Sequence, residues 1–244
     1  MALPFESQEA HSINITSLQA VLMLTKTKTA ALLKWAEQHG RKVPWRSVND
    51  RYRLAVAEIL LQKTKATDAI PVWTGLVEAY TKADALASAT ETELLAMVGK
   101  LGLGHQRVGR LKQMAESLLA TRETQKLPGL GPYGCAVLAL SQGSEPETIP
   151  VDGNIARVVC RYLGLSFERG EPRKKKEVQQ AIPKLLKQCT DPQGKLALVY
   201  ALVDLGDSVC RPNKPVCGDC PLAKSCALVR LNKTSTRLAQ AHVG

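Results

Sequence analysis

Aromatic residues are scarce in this chain of 244 residues: three Trp, five Tyr and two Phe. Its core must therefore be built mainly from Leu, Val, Ile and Ala. Long apolar runs are missing too. None approaches the ~20 residues that span a bilayer, which excludes a membrane-crossing helix. The opening stretch MALPFESQEAHS has no charged segment followed by a long apolar one, so it does not read as a secretion signal. Convincing runs of alternating strand residues, internal repeats and low-complexity tracts are absent, which argues against sheet and repeat architectures. Acidic residues are outnumbered: 22 Asp and Glu stand against 33 Lys and Arg, giving a formal charge of +11 and a pI of about 9.4. That excess favours a polyanionic partner, either nucleic acid or an anionic membrane surface.

What is present is helical periodicity, and the fold class it predicts is all-α. Residues 15–38 read as a first helix, with Gly40 as its stop. RLAVAEILLQKT, residues 53–64, is apolar nearly all round, as a buried central helix would be. Thr90 and Glu93 form a capping-box pattern ahead of LLAMV. Over 105–120 the apolar positions Val108, Leu111, Met114, Ala115, Leu118 and Leu119 repeat at helical spacing, which leaves Arg107, Arg110 and Lys112 elsewhere on the surface. Further helices are expected near 133–142, 154–163, 175–188 and 194–208. The basic stretch RGEPRKKKE, 169–177, reads as a solvated helix start. Beyond Cys226 the chain is polar and patternless and reads as a frayed tail.

An intracellular chain rarely holds disulfides, so seven cysteines need another account. Four of them supply one. CRPNKPVCGDCPLAKSC places Cys210, Cys217, Cys220 and Cys226 with gaps of six, two and five residues. Four thiolates on one loop of Pro, Asn, Gly and Asp can wrap a metal centre. Structural zinc prefers two short Cys pairs with a longer spacer, whereas this uneven array fits a [4Fe–4S] cube better. Cys135, Cys160 and Cys189 stand apart and read as small core residues.

A second motif is LPGLGPYGCAVLAL, 127–140. A Gly-x-Gly turn that opens a helix is suited to an anion, because free N–H groups and the helix dipole point outward there. Gly129 and Gly131 let the backbone approach a phosphate closely without reading a base. In 57–64, AEILLQKT sets Glu58 in an apolar helix. A carboxylate there is costly to bury unless paired or protonated, and a raised pKa would make it a competent acid or hydrogen-bond donor. A solvent-facing Glu on an amphipathic helix is the plainer alternative.

The cysteine spacing resembles that of the endonuclease III and MutY superfamily of DNA glycosylases. LPGLGPYG is similar to that family's helix-hairpin-helix turn, VDGNIARVVCR (151–161) to its segment with an essential Asp, and VPWR and AEILLQKT to its opening helix. The resemblance spans roughly 28–226. It implies double-stranded DNA as partner, a [4Fe–4S] cluster on the four cysteines, a nucleotide flipped out of the stack, and Asp152 as the carboxylate that stabilises an oxocarbenium-like sugar and guides water. A simple helix cap is the other role open to Asp152. In the bifunctional branch a lysine follows the hairpin and forms a Schiff base. Here Tyr133 stands in its place, and a phenol cannot do so, which implies a glycosylase that stops at an abasic site. The resemblance also sends the turn after Glu58 into DNA, with Gln62 probing the vacated space and Lys63 beside the strand.

Two branches combine this Glu and Tyr. One removes adenine opposite guanine or 8-oxoguanine, and VDGN and LQKT lean that way. The other removes thymine or uracil opposite guanine, and GLGHQRVGRLKQ (102–113) and RYLG lean that way. The chain also stops before any MutT-like domain, and these features together favour thymine or uracil. His105, Gln106 and Arg107 become candidates for DNA contact, although His105 fits a plain surface loop as well. A non-catalytic DNA-binding module is the remaining alternative. The resemblance further implies a helical barrel domain over 46–154, a discontinuous cluster domain of 1–45 plus 155–226 that presents Arg211, Lys214 and Lys224 to phosphates, and a tail at 227–244. A cytoplasmic, nucleoid-associated monomer without membrane contact is expected.

Overall fold

The computed structural model describes residues 25–120, 126–165 and 171–232. Among them there are helices and turns and no strand. The helix expected over 15–38 lies partly outside the described residues. Its described part is α1, Lys26–His39, and Gly40 follows as its C-cap in extended backbone. Gly40 is needed for space: a Cβ there would lie 2.4 Å from the Ala36 carbonyl oxygen and 3.0 Å from Asp204 Oδ2.

A short 3-10 turn, Pro44–Arg46, leads to α2, Arg51–Leu60. Asp50 caps α2 by accepting from the Arg53 N–H, which satisfies a donor that the first turn leaves open. Apart from Arg53, α2 is buried from Tyr52 to Leu60, as its all-round apolar sequence requires. It is shorter than the sequence suggests. Arg107 takes the carbonyls of Ile59, Leu60 and Gln62, and Lys63 turns into the left-handed region at φ 57°.

α3 (Ala66–Ala79) and α6 (Gly104–Ala120) pack on α2, and α4 (Ala83–Ser88) and α5 (Glu91–Val98) pack on α6. The Thr90–Glu93 capping box forms as its spacing predicts. A second set joins α1 to α8 (Gly153–Leu163), α9 (Lys176–Leu186) and α10 (Pro192–Ser208). Between them runs α7 (Pro132–Ser141), which touches both α2 and α10. One apolar core runs through both sets, from Leu32 and Leu60 to Ile155 and Leu202. Where α10 crosses the start of α8, Gly206 leaves no room for a side chain; its Cβ would meet Asn154 Cβ at 2.6 Å. Of the tail expected after Cys226, residues 233–244 lie outside the described residues, and the rest differ from the polar reading. Residues 227–232 are helical, and Ala227 is buried with Leu228 and Val229 against the core.

Candidate active site and nucleic-acid interface

A cavity of about 1130 Å³ opens where the two sets meet. Glu58 from α2, Tyr133 from α7 and Asp152 ahead of α8 all line it, together with Gln62, Lys63, Gly129 and Gly131. Residues spread over almost a hundred positions of chain therefore face one space.

The hairpin glycines differ in what they need. Gly129 sits at φ 81°, and a Cβ there would lie 2.8 Å from Arg110 Cβ. Only glycine fits both the conformation and the contact. Gly131 is the N-cap of α7 at φ −82°, and its Cβ would meet nothing within 4 Å. Its backbone thus borders open space at a helix N-terminus, a favourable place for an anion. Gln62 ties the other lip to this hairpin. Its Nε2 donates to the Gly129 carbonyl at 2.7 Å, and Arg110 donates to its Oε1.

Both carboxylates are displaced from ordinary behaviour. Glu58 is only 9% exposed. Burial first, then the Asp152 carboxylate, push it up to about 7, against the pull of Arg46 and Arg41. Asp152 does cap α8: Oδ1 accepts from the Ile155 N–H at 2.7 Å, and Oδ2 accepts from Asn154 Nδ2 at 3.1 Å. Burial nonetheless raises it, with those hydrogen bonds opposing. The cap role and the cavity position coexist in one side chain. Asn154 is fixed in turn by Arg157, which donates to Asn154 Oδ1 at 2.7 Å and to the Cys210 carbonyl at 2.8 Å. Tyr133 is held far above its ordinary value by burial, then by Glu58 and Asp152, so it stays a neutral phenol.

Four further residues belong to the site, and the sequence reading did not single them out. Asp204 on α10 is 2% exposed. It accepts from Arg46 Nη1 at 2.6 Å and Nη2 at 2.9 Å, from Arg41 Nε at 2.6 Å, and from the Arg41 N–H at 3.1 Å. Burial alone would raise Asp204, but Arg46 and then Arg41 outweigh it and hold it below its ordinary value. The Arg46 guanidinium lies 4.2 Å from the centroid of the Tyr200 ring, a cation–π contact. Arg41, Arg46 and Tyr200 line the cavity. The signal that exposed Glu58, a carboxylate inside an apolar helix, was equally present in ALVDLGD around Asp204.

Three candidates lie elsewhere. Arg107, expected on the DNA surface, is 1% exposed. Its guanidinium is spent on the Gly102, Ile59, Leu60 and Gln62 carbonyls and on Thr64 Oγ1. It therefore shapes the lip from beneath and cannot meet a phosphate. His105 and Gln106 are exposed on the first turn of α6 but do not line the cavity.

Cys210, Cys217, Cys220 and Cys226 lie on the loop around the 3-10 turns Cys217–Asp219 and Ala223–Ser225. Among the described residues no group of three or more His, Cys, Asp or Glu takes the geometry of a metal site. The chemistry of the donor set still fits a cation. Burial first pushes the Cys220 thiol up to about 11, and the other three cysteines push it further the same way. Were all four to ionise as ligands, a metal cation would be needed to offset their mutual repulsion. Arg211, Lys214 and Lys224 are exposed beside them. No helix among the described residues is long and apolar enough to cross a membrane.

An all-helical fold with a hairpin and two carboxylates on one cavity is the architecture of base-excision DNA repair proteins. Residues 56–188 match the family model described as HhH-GPD superfamily base excision DNA repair protein, and the chain belongs to that family. It is 29% identical to the thymine-DNA glycosylase of Aeropyrum pernix over 84% of this chain and 97% of that protein. It is likewise 29% identical to the thymine/uracil-DNA glycosylase of Pyrobaculum aerophilum, over 80% and 88%. The human adenine DNA glycosylase is 31% identical over 80% of this chain but only 38% of its own length. In fold, the chain is similar to a thermostable thymine-DNA glycosylase structure (TM-score 0.74, 24% identity, 88% and 99% covered) and to endonuclease III in a non-covalent DNA complex (0.65, 18%, 87% and 100%).

Proposed function

We propose that this protein is a monofunctional DNA glycosylase acting as a monomer on double-stranded DNA, and that it removes thymine or uracil opposite guanine. The observation that carries the reading is the convergence of Glu58, Asp152 and Tyr133 on the cavity that Gly129 and Gly131 border. In this reading the hairpin holds a backbone phosphate, and the nucleotide turns out of the stack into the cavity. Glu58, protonated near neutral pH, donates to the departing base. Asp152, held by the Ile155 N–H and Asn154, opposes the positive charge that grows on the sugar and directs water to it. Tyr133 supplies no amine, so no Schiff base forms and an abasic site is left. Relatives named for thymine or uracil that match nearly end to end support the choice of base.

Cys210, Cys217, Cys220 and Cys226 would hold a [4Fe–4S] cluster, whose part here is architectural: it folds the cysteine loop and carries Arg211, Lys214 and Lys224 toward phosphates. The two sets of helices correspond in this reading to a barrel lobe, 46–154, and a cluster lobe of 1–45 with 155–226. A cytoplasmic location accords with it.

The test is to incubate the protein with duplexes bearing G:T, G:U, A:G or A:8-oxoguanine and to score strand breaks with and without alkali. Alkali-dependent breaks at G:T and G:U are expected. Release of adenine alone would establish the adenine reading, and breaks trapped by borohydride without alkali would refute the monofunctional one. Release of no base with retained DNA binding would leave a binding module. Bound zinc, with no broad visible absorbance, would refute the cluster.

A further inference from the structure

Glu58 can donate a proton only if it is protonated when a base arrives, yet two guanidinium groups border the same cavity. Lys63, Lys65, Arg110, Arg173 and Asp207 also line it, Asp207 within 3.8 Å of Arg41, but the groups that act on Glu58 and its aromatic neighbours are fewer. From ahead of α8 comes Asp152, from the stretch before α2 come Arg41 and Arg46, from α7 Tyr133, and from α10 Tyr200. The tyrosines are neutral, so the balance lies among Asp152, Arg41 and Arg46. Left to themselves the two arginines would outweigh one carboxylate and draw the proton from Glu58.

Asp204 offsets this. It is buried, and it meets Arg46 with both oxygens while also holding Arg41 through Nε and the backbone N–H. Tyr200 then closes over the Arg46 plane from one face. Planar bidentate pairing fixes direction as well as charge, which a lysine at position 46 would not provide. Gly40 lets α1 end close enough to place Arg41 there, since a Cβ would lie 3.0 Å from Asp204 Oδ2.

We infer that Asp204 is a positioning residue for base excision: by binding Arg46 and Arg41 it offsets their pull on Glu58 and so helps preserve the protonated carboxyl that the departing base requires. This rests on the proposed role of Glu58 as proton donor. It adds a residue that touches no substrate, and it predicts opposite effects for the two partners of one ion pair.

The experiment is a titration of the Glu58 carboxyl by carbon NMR in the full-length protein, assigned through Glu58→Gln, alongside single-turnover pH profiles on a G:U duplex. In Asp204→Asn the Glu58 midpoint and the alkaline limb of the profile are expected to move to lower pH by about one unit or more. In Arg46→Gln both move to higher pH, and Asp204→Glu restores the wild-type profile in part. An Asp204 role in folding alone would lower activity by the same factor at every pH and leave the Glu58 midpoint in place. That outcome in either variant overturns the inference. Should Asp204→Asn not fold alone, Asp204→Asn built on Arg46→Gln decides: a Glu58 midpoint below that of Arg46→Gln supports the inference, and an unchanged one overturns it. The NMR midpoints are read without turnover, so an enzyme that releases no base would sink the proposed function while leaving this test intact.

Discussion

Gln62 and Gly129, sixty-seven positions apart, share a hydrogen bond of 2.7 Å that joins the turn after α2 to the hairpin ahead of α7. The two lips of the cavity are therefore one mechanical unit, with Arg110 bracing the Gln62 side chain from α6. Gln62→Ala removes an acceptor from a charged donor and a donor from a carbonyl. A loss of about 1–3 kcal/mol in unfolding free energy is expected, with weaker duplex binding, both readable from denaturant titration and fluorescence anisotropy.

The hairpin glycines should separate. Gly129→Ala forces a side chain into φ 81° and against Arg110, so it should cost more than ~1 kcal/mol of stability. Gly131→Ala meets open space and an ordinary φ, and its stability should stay within about 0.5 kcal/mol of wild type. Its methyl group lies where a phosphate would approach, so anisotropy should show weaker DNA binding in a folded protein. Unchanged binding would remove the hairpin from the interface.

Asp152 caps α8, and the proposed function gives it a second, chemical role; a pair of substitutions can part the two. Asparagine caps helices about as well as aspartate, so Asp152→Asn should lose little stability, whereas Asp152→Ala should lose ~1 kcal/mol with the cap. Both should lower base release by about 100-fold or more, because only the carboxylate opposes positive charge on the sugar. Thermal denaturation and single-turnover assays give the two readings.

Glu58 sets a pH dependence of folding. Its carboxyl rises from 4.5 to about 7 on folding, so the folded state binds the extra proton. Its contribution is therefore fully present below pH 4.5 and is lost as pH rises toward 7. Stability should fall across that window by up to about 3 kcal/mol. Glu58→Gln should flatten the decline and be the more stable form at pH 8, although inactive. Denaturant midpoints taken every half pH unit would show it, and parallel curves for the two proteins would refute it.

Arg107 should behave as core. Removing its guanidinium strands the α2 carbonyls at Ile59 and Leu60, and Arg107→Ala should cost about 3 kcal/mol or more. His105→Ala and Gln106→Ala, two and one positions earlier and exposed, should stay within about 0.5 kcal/mol.

What the sequence disclosed followed the range of the interactions involved. The Thr90–Glu93 box and the Gly40 stop were legible because each is settled within a few residues. Glu58 was legible because burial leaves an anomaly in the local pattern. Arg107 was misplaced for the complementary reason: helical spacing says which side a residue faces, but not whether another segment's carbonyls are waiting there. The Arg41–Asp204 contact joins residues 163 positions apart, and no local period reaches that far. The turn at Lys63 escaped notice because its cause, Arg107 beneath the end of α2, is tertiary.

The dual role proposed for Asp152 bears on how a damaged copy of this protein behaves. Its carboxylate is set in place by an N–H of the first turn of α8, where Asn154 packs closely against Gly206 of α10. A chain whose last long helix has come away loses the cap geometry and the chemistry in one event. In that reading partial denaturation silences the protein before it can loosen its choice of base, a fail-safe worth having in anything that removes bases from the genome.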